Sequence, residues 1–159
     1  MKIIPYDHFL LYSSLPSEEV TGRLSAVTEC CEIGFLCENL KDTACEFYGI
    51  VKFGEFRLIK KITYRNSFNP IIRGTIFTED EKTVIDVRMS LIPFVAVFIA
   101  FWLFFASVFT VLGLCFEAEK VVLLHPIVMI IVCYCTVEGG FWYEAKRIRR
   151  RLESLCQSH

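Results

Sequence analysis

The stretch that decides the fold is LIPFVAVFIAFWLFFASVFTVLGLCF, residues 91–116, which contains no charged side chain. As an α-helix it would extend about 39 Å at 1.5 Å per residue, which exceeds the roughly 30 Å hydrocarbon core of a bilayer. Its apolar side chains give a summed insertion free energy on the order of −5 to −10 kcal/mol. The sequence therefore predicts a transmembrane helix over 91–116 that begins near Pro93, where a missing N–H costs least.

A second apolar segment, VVLLHPIVMIIVCYCTV, covers residues 121–137. It is shorter than the first and contains His125 and Pro126, so alone it would insert only marginally. Residues 117–120 form a short outer loop, so the second segment is predicted to return as an antiparallel transmembrane helix over 121–140. Ala96 and Ala100 offer a close contact for packing within this hairpin or between copies of it.

The Lys and Arg side chains near these segments predict the orientation of the hairpin. Before the first span lie Arg73, Lys82 and Arg88; between the spans lies Lys120; after the second span lie Lys146, Arg147, Arg149, Arg150 and Arg151. Because positive loops stay inside, both termini are predicted to be cytoplasmic, with the chain a multi-pass protein of the plasma membrane. The aromatic run Phe141, Trp142 and Tyr143 is then expected at the headgroup level, and the basic side chains after it beside anionic lipid.

Beyond the aromatic run, residues 141–159 show the period of an amphipathic helix. Apolar residues recur at helical spacing at Phe141, Ala145, Ile148, Leu152 and Leu155, while the other positions are mostly basic. The apolar stripe would cover a cytosolic sheet. The basic side chains either only fix the topology or also bind lipid headgroups.

Residues 1–90 have the alternating pattern of β-strands. Residues 46–53 alternate, Gly54-Glu55 is interpreted as a hairpin turn, and the alternation returns over 56–64. Residues 71–78 and 83–90 form a second pair joined by EDEK, which gives a four-stranded meander.

Upstream of this meander, residues 7–14 are a candidate fifth strand. A helix is expected to follow from Ser14 or Ser17, with an apolar face of Val20, Leu24 and Val27. Residues 30–45 are interpreted as loop. The predicted fold class is α+β: an antiparallel sheet of four or five strands with covering helices, interrupted by an inserted transmembrane helical hairpin.

Composition excludes several classes of function. The chain has 159 residues, 54% of them hydrophobic, and a net charge of −1, so it lacks the basic charge of a nucleic-acid-binding protein. Eight cysteines without a secretory signal favour reduced thiols. Cys30, Cys31, Cys37 and Cys45 lack the paired C-x2-C spacing of zinc sites. No phosphate-loop, dinucleotide or hydrolase motif is present, so no metal, cofactor or catalytic residue is expected.

The candidate polar sites are few. The loop RNSFNP, residues 65–70, could bind an anion through Arg65 and Asn66, with Arg73 nearby, although Asn, Ser and Pro more often only build a turn. His125 and Glu138 are candidate intramembrane polar residues, and intramembrane acids are often functional. His125 could also only cap a helix entrance, and Glu138 could reach outward to water at the inner interface.

Four features of the chain resemble a family of small bacterial two-helix membrane proteins, a domain of unknown function. They are F-x-G at Phe47 and Gly49, RNSFNPIIRGTI over 65–76, a strand that ends at Met89 before two membrane helices, and the terminal EAKRIRRRLESL over 144–155. The resemblance extends from about residue 46 onward and implies no activity, ligand or catalytic residue. The order of the cytosolic elements is also distantly similar to a trimmed helix-grip, lipid-binding domain, in fold only.

The sequence thus predicts a nonenzymatic integral membrane protein. Its two helices would hold a small cytosolic module at the inner membrane face, where the module binds a protein partner or an apolar or lipid ligand, and it could form a homo-oligomer. The alternative is a small oligomeric transport or channel subunit lined by His125 and Glu138. A membrane enzyme that uses the Arg65 loop has the least support, because no set of acid, base and nucleophile is visible.

Overall fold

A computed structural model describes residues 5–30, 45–80, 82–116 and 120–157, without the side chains of 120–123 and 125. The described elements, in chain order, are β1 (Tyr6–Ser13), α1 (Ser17–Ala26), β2 (Thr28–Cys30), β3 (Phe47–Lys52), β4 (Glu55–Lys60), β5 (Ile71–Glu79), β6 (Lys82–Ser90), α2 (Pro93–Cys115) and α3 (Lys120–Cys156). The fold is α+β, as predicted.

The sheet has six strands in the order β1-β6-β5-β4-β3-β2. The chain's first strand lies beside its last, and every pair is antiparallel except β2 with β3, which run parallel. The prediction of four or five antiparallel strands was therefore wrong in number and in type. The missing strand, β2, has only three residues, too few to show an alternating pattern. Most of the predicted loop over 30–45 lies outside the described residues.

The hairpin between β3 and β4 turns one residue earlier than predicted. Lys52 pairs with Glu55, so the turn residues are Phe53 and Gly54 rather than Gly54 and Glu55. Both turn residues have positive φ, 51° at Phe53 and 77° at Gly54. This is the left-handed backbone that a two-residue hairpin loop of type I′ requires. Glycine adopts it without strain, whereas a bulky phenylalanine rarely does.

One face of the sheet forms the hydrophobic core under α1 and the second half of α3. From α1, Val20 and Leu24 are buried, as predicted. From α3, the predicted apolar stripe is confirmed at Phe141, Ala145, Ile148 and Leu152, each at most 2% exposed, and Cys156 rather than Leu155 completes it. The strands contribute alternate residues of one pleat face to the same cluster: Phe9, Leu11, Phe47, Phe56, Leu58, Ile72, Ile76, Ile85, Val87 and Met89.

The two long helices are apolar enough to cross a bilayer. α2 has 23 residues, about 34 Å at 1.5 Å per residue, and none of its side chains is buried. α3 has 37 residues and passes without interruption through Pro126 into the core. At about 55 Å it is long enough to serve both as a span and as the cover of the sheet. The predicted outer loop over 117–120 lies largely outside the described residues.

Candidate functional site

The sheet face turned away from α1 and α3 is open. Because side chains alternate along each strand, residues of neighbouring strands that pair in register form rows across this face. One row consists of His8 on β1, Arg88 on β6, Arg73 on β5 and Arg57 on β4. We call these four residues the basic row. All four side chains are exposed.

Electrostatic repulsion acts along the basic row. Arg57 lies directly opposite Arg73, and Arg73 directly opposite Arg88. Side chains paired in this way have Cβ atoms about 4.5 to 5.5 Å apart, and like charges so placed destabilise a sheet. Two such pairs in succession oppose folding and supply positive charge to the open face.

Asp86 is the acidic neighbour of the basic row. Its Oδ1 atom lies 2.8 Å from Nε2 of His8, and its Oδ2 accepts a hydrogen bond of 2.9 Å from Nη2 of Arg88. Burial opposes ionisation of Asp86, but the hydrogen bonds from Arg88 and His8 outweigh it and lower the pKa of the carboxyl group. The carboxylate therefore compensates one end of the row. Arg57 and Arg73 form no ion pair with another described residue.

A cavity of about 690 Å³ lies on the open face between the basic row and the β3–β4 hairpin. Its basic lining comes from Arg57, Arg73, Arg88 and Lys52. Its apolar lining comes mainly from the side chains of Ile50 and Phe53, and Glu55 and Asp86 contribute two carboxylates. The cavity thus combines a net positive charge with an apolar surface at the hairpin.

Phe53 projects from the hairpin tip at the rim of this cavity. It is fully exposed, with an accessible surface area that is 102% of the reference value for a phenylalanine, and its backbone φ is 51°. An exposed aromatic ring gains nothing from packing, and the left-handed backbone is unfavourable for a bulky residue. Strained residues of this kind often occur at binding sites.

The residues of the predicted anion site around Arg65 lie on different parts of the domain. Asn66 donates a hydrogen bond of 3.3 Å from Nδ2 to the backbone carbonyl of Gly140, and its Oδ1 accepts one of 3.0 Å from the backbone N–H of Phe68. The loop is thereby docked on α3, which lies on the covered side of the sheet. Arg65 is exposed, and Arg73 belongs to the basic row on the opposite face. The structure therefore separates Arg73 from Asn66.

The aromatic residues predicted at the membrane interface divide between core and surface. Phe141 is fully buried against the sheet, Trp142 is half-buried, and Tyr143 is 59% exposed. The Nε1 atom of Trp142 donates a hydrogen bond to Oε2 of Glu138. Thus the candidate intramembrane acid already has a partner one helical turn away on α3. His125 lies in α3, but its side chain is outside the described part of the chain.

The basic side chains of α3 also divide into two groups. Arg149 pairs with Glu153 at 3.0 Å and lies over the ring of Phe9, with its Cζ atom 4.5 Å from the ring centroid. Arg151 pairs with Glu46 at the start of β3. The remaining three are exposed: Lys146, Arg147 and Arg150. Two of the predicted headgroup contacts therefore stabilise the domain itself, and three are available to solvent or lipid.

Glu144 is a buried acid that the sequence analysis did not select. It is 0% exposed, and its carboxylate lies 3.7 Å from Nζ of Lys60. Neither oxygen accepts a hydrogen bond from a described residue. Its position three residues after Phe141 and four before Ile148 places it on the inner side of α3, so helical periodicity could have identified it.

A second cavity, of about 440 Å³, lies between α2 and α3, and its lining is almost wholly apolar. Ala96 and Ala100 of α2 line it together with Ile130, Tyr134 and Val137 of α3. The small side chains therefore leave a gap between the helices. Glu138 also lines this cavity.

Comparison with protein-family models, curated proteins and solved structures gave no match to this chain. The resemblance to the bacterial two-helix family therefore stays a prediction. Among the described residues, no cluster of three or more His, Cys, Asp and Glu side chains could hold a metal ion. The open sheet face therefore presents a concentration of positive charge among the described residues.

Proposed function

We propose that this chain is an integral membrane protein in which the α2–α3 hairpin anchors a cytosolic α+β binding module at the inner membrane face. The observation that carries the proposal is the exposure of α2, none of whose side chains is buried. A core helix of a water-soluble protein would bury one face. Exposed phenylalanines such as Phe98, Phe101 and Phe109 need an apolar solvent.

The continuity of α3 supports the placement of the module against the membrane. Residues 120–140 would extend about 31 Å, close to the thickness of the hydrocarbon core. The residues from Phe141 onward then pack on the sheet without an intervening linker. The module would therefore sit directly on the headgroups, in a fixed orientation.

The distribution of charge supports cytoplasmic termini. The described basic residues that flank the spans, apart from Lys120, belong to the sheet domain or to the second half of α3, and positively charged flanks remain inside. We propose a nonenzymatic role for the module, with the open sheet face as its binding surface. Trp142 donates a hydrogen bond to one oxygen of the Glu138 carboxylate, and the other oxygen, Oε1, has no hydrogen-bond partner among the described residues.

A topology experiment tests the proposal. Reporter domains that are active only outside the cytoplasm are fused to the N-terminus, to the C-terminus and between residues 117 and 119. We expect activity only for the insertion at 117–119, and we expect the wild-type chain to remain in the membrane pellet after carbonate extraction. Activity of either terminal fusion, or release of the chain into the supernatant, would contradict the proposal.

A further inference from the structure

We propose that the basic row and the adjoining hairpin bind an acidic segment of a cytosolic protein, one that alternates carboxylate and apolar side chains. This inference rests on the proposed function, since it assigns a partner to the same open face. Arg57, Arg73 and Arg88 supply the charge, and Phe53 supplies an apolar contact.

The charge complementarity of the face is the first argument. Arg57 and Arg73 repel one another and lack a described ion-pair partner, and Arg73 also faces Arg88. A carboxylate placed between two guanidinium groups would accept hydrogen bonds from both and remove the repulsion. The unfavourable pairing in the free protein thus becomes favourable in the complex.

The shape of the cavity is the second argument. Its volume of about 690 Å³ lies within the range of small-molecule sites, but such sites bury most of the ligand's surface. Here the cavity lies on one exposed face of a sheet, with α1 and α3 on the other face. An extended protein segment can lie across such a face, with its side chains alternately reaching the arginines and the hairpin.

The position of the hairpin is the third argument. Asp86, which pairs with Thr75 in the row next to the hairpin, is four residues before Ser90, about 13 Å at 3.3 Å per residue. Ser90 ends β6 just before α2 enters the membrane. The headgroup layer on each side of a bilayer is only about 5 to 8 Å thick. On the proposed placement of the module, Phe53 lies beyond the Asp86 row, at the end of β3 farther from Ser90 and the membrane than the basic row is.

The strain at Phe53 is the fourth argument. A fully exposed phenylalanine with φ of 51° contributes no packing to the free protein. At the rim of a charged cavity it can cover an apolar side chain of the partner. Aromatic and arginine side chains together are the residue types that dominate binding at protein interfaces.

The binding test uses the full chain in nanodiscs of phosphatidylcholine, which carries no net charge. The probe is a ten-residue peptide that alternates glutamate and leucine, with deca-glutamate and deca-lysine as comparison peptides. We expect the alternating peptide to bind more tightly than deca-glutamate, with an affinity that falls as salt rises, and we expect no binding of deca-lysine.

Variants assign the binding to the proposed residues. The double variant Arg57→Gln/Arg73→Gln should lower the affinity for the alternating peptide by about tenfold or more, and each factor of ten corresponds to about 1.4 kcal/mol. The control Arg147→Gln/Arg150→Gln removes the same charge from the exposed side of α3 and should bind as wild type. Phe53→Ser should weaken binding of the alternating peptide but leave binding of deca-glutamate unchanged. Thermal unfolding checks that each variant is folded.

Several outcomes would overturn the inference. The first is that the alternating peptide binds no more tightly than deca-lysine. The second is that both double variants lose the same amount of affinity for the alternating peptide. The third is that Phe53→Ser binds the alternating peptide as tightly as wild type does. Saturable binding of inorganic pyrophosphate that depends on Arg57 and Arg73, without peptide binding, would indicate a small-anion site instead. Because the chain in the nanodisc is already inserted, none of these results would count against the membrane anchor.

Discussion

Gly140 lies where α3 leaves the apolar hairpin and meets the sheet. A Cβ atom added there would lie 2.8 Å from Cδ2 of the Phe68 ring and 3.3 Å from Oδ1 of Asn66, whereas one added at Gly139 would meet nothing within 4 Å. The absence of a side chain at Gly140 therefore allows the loop 61–70 to approach the helix. At Gly139 the structure shows no such requirement.

The two glycines form a matched pair for mutation. Replacing a helical glycine by alanine stabilises a helix by up to about 1 kcal/mol, and Gly139→Ala should show this gain. Gly140→Ala adds the same propensity but forces the Phe68 ring to move, at a cost of about 1 to 3 kcal/mol. Chemical unfolding in nanodiscs, followed by tryptophan fluorescence, measures both.

We expect the free energy of unfolding of Gly139→Ala to exceed that of wild type. That of Gly140→Ala should be lower than that of Gly139→Ala. Equal free energies of unfolding for the two variants would show that the loop does not dock as described. The substitution Asn66→Ala removes the hydrogen bond to the Gly140 carbonyl. When it is added to both variants, the free energy of unfolding of Gly140→Ala should come closer to that of Gly139→Ala, since the loop is then free to withdraw.

Cys156 should be chemically inert in the folded protein. Its side chain is 5% exposed, and burial raises the pKa of the thiol to about 11 despite the nearby Arg23. Only the thiolate reacts with maleimides, so at pH 8 the folded chain should be labelled at the exposed Cys30 and not at Cys156. Peptide mapping by mass spectrometry locates the label, and labelling of Cys156 before unfolding would contradict the packing of α3 on the sheet.

At the scale of elements, α3 is joined to the sheet by an ion pair as well as by apolar contacts. Arg151 donates two hydrogen bonds to the Glu46 carboxylate just before β3. These bonds lower the pKa of Glu46 below the ordinary 4.5, although partial burial of the carboxyl group acts to raise it. The folded state therefore holds the Glu46 proton less tightly than the unfolded chain. The resulting stabilisation is present above pH 4.5 and is lost as the pH falls below it.

Removing Arg151 should reduce this pH dependence. We expect Arg151→Met to lower the thermal midpoint slightly at pH 7 and to lose less stability than wild type between pH 6 and pH 3. The effect is small because both side chains are about 40% exposed and solvent screens the pair. In a Glu46→Gln background the Arg151 substitution should leave the pH profile unchanged, and a persistent difference there would assign the effect to another group.

The elements with a strong periodic pattern were predictable, and the short ones were not. β5 and β6 alternate over nine residues each, and the apolar stripe of α3 repeats over four turns. β2 has three residues, so its parallel pairing with β3 depends on tertiary contacts. The turn at Phe53-Gly54 was predicted one residue too late, because a two-residue hairpin accepts glycine at its first turn position as well as at its second.

At the scale of the molecule, the sheet domain is divided in sequence by the hairpin. Its strands are complete at Ser90, but α3 supplies Phe141, Ile148 and Leu152 to the same core. A chain that ends near residue 91 would expose to water the part of the sheet's buried face that α3 covers. Leu91 and Val137 line the same cavity between the helices, so the two ends of the hairpin lie close together.

Excision of the hairpin tests this division. Residues 92–136 are replaced by a short glycine-serine linker, which should give a soluble domain with cooperative thermal unfolding by circular dichroism. Residues 1–91 alone should not unfold cooperatively, because α3 is missing. Cooperative unfolding of residues 1–91, or its absence in the linked chain, would show that the core is not shared in this way.

The candidate site was harder to predict than the fold because it is assembled across strands. Arg73 was selected, and the predicted pairing of 71–78 with 83–90 would have placed Arg88 opposite it. Arg57 is separated from Arg73 by the ten-residue connection between β4 and β5, so their register could not be derived from turn length. Asn66 and Arg65 were selected for their polarity, but Asn66 serves to dock its own loop.

The order in which a ribosome makes this chain now has a consequence for its biogenesis. Six strands and α1 emerge before α3, which completes the cover of the sheet. The covering half of α3 emerges only after the insertion machinery has received the preceding hydrophobic segment. Domains usually fold as they are synthesised, N-terminal parts first, but here maturation of the soluble part must wait for the membrane step. A nascent chain stalled before that step would carry a sheet covered only by α1 and would be a substrate for chaperones and proteases.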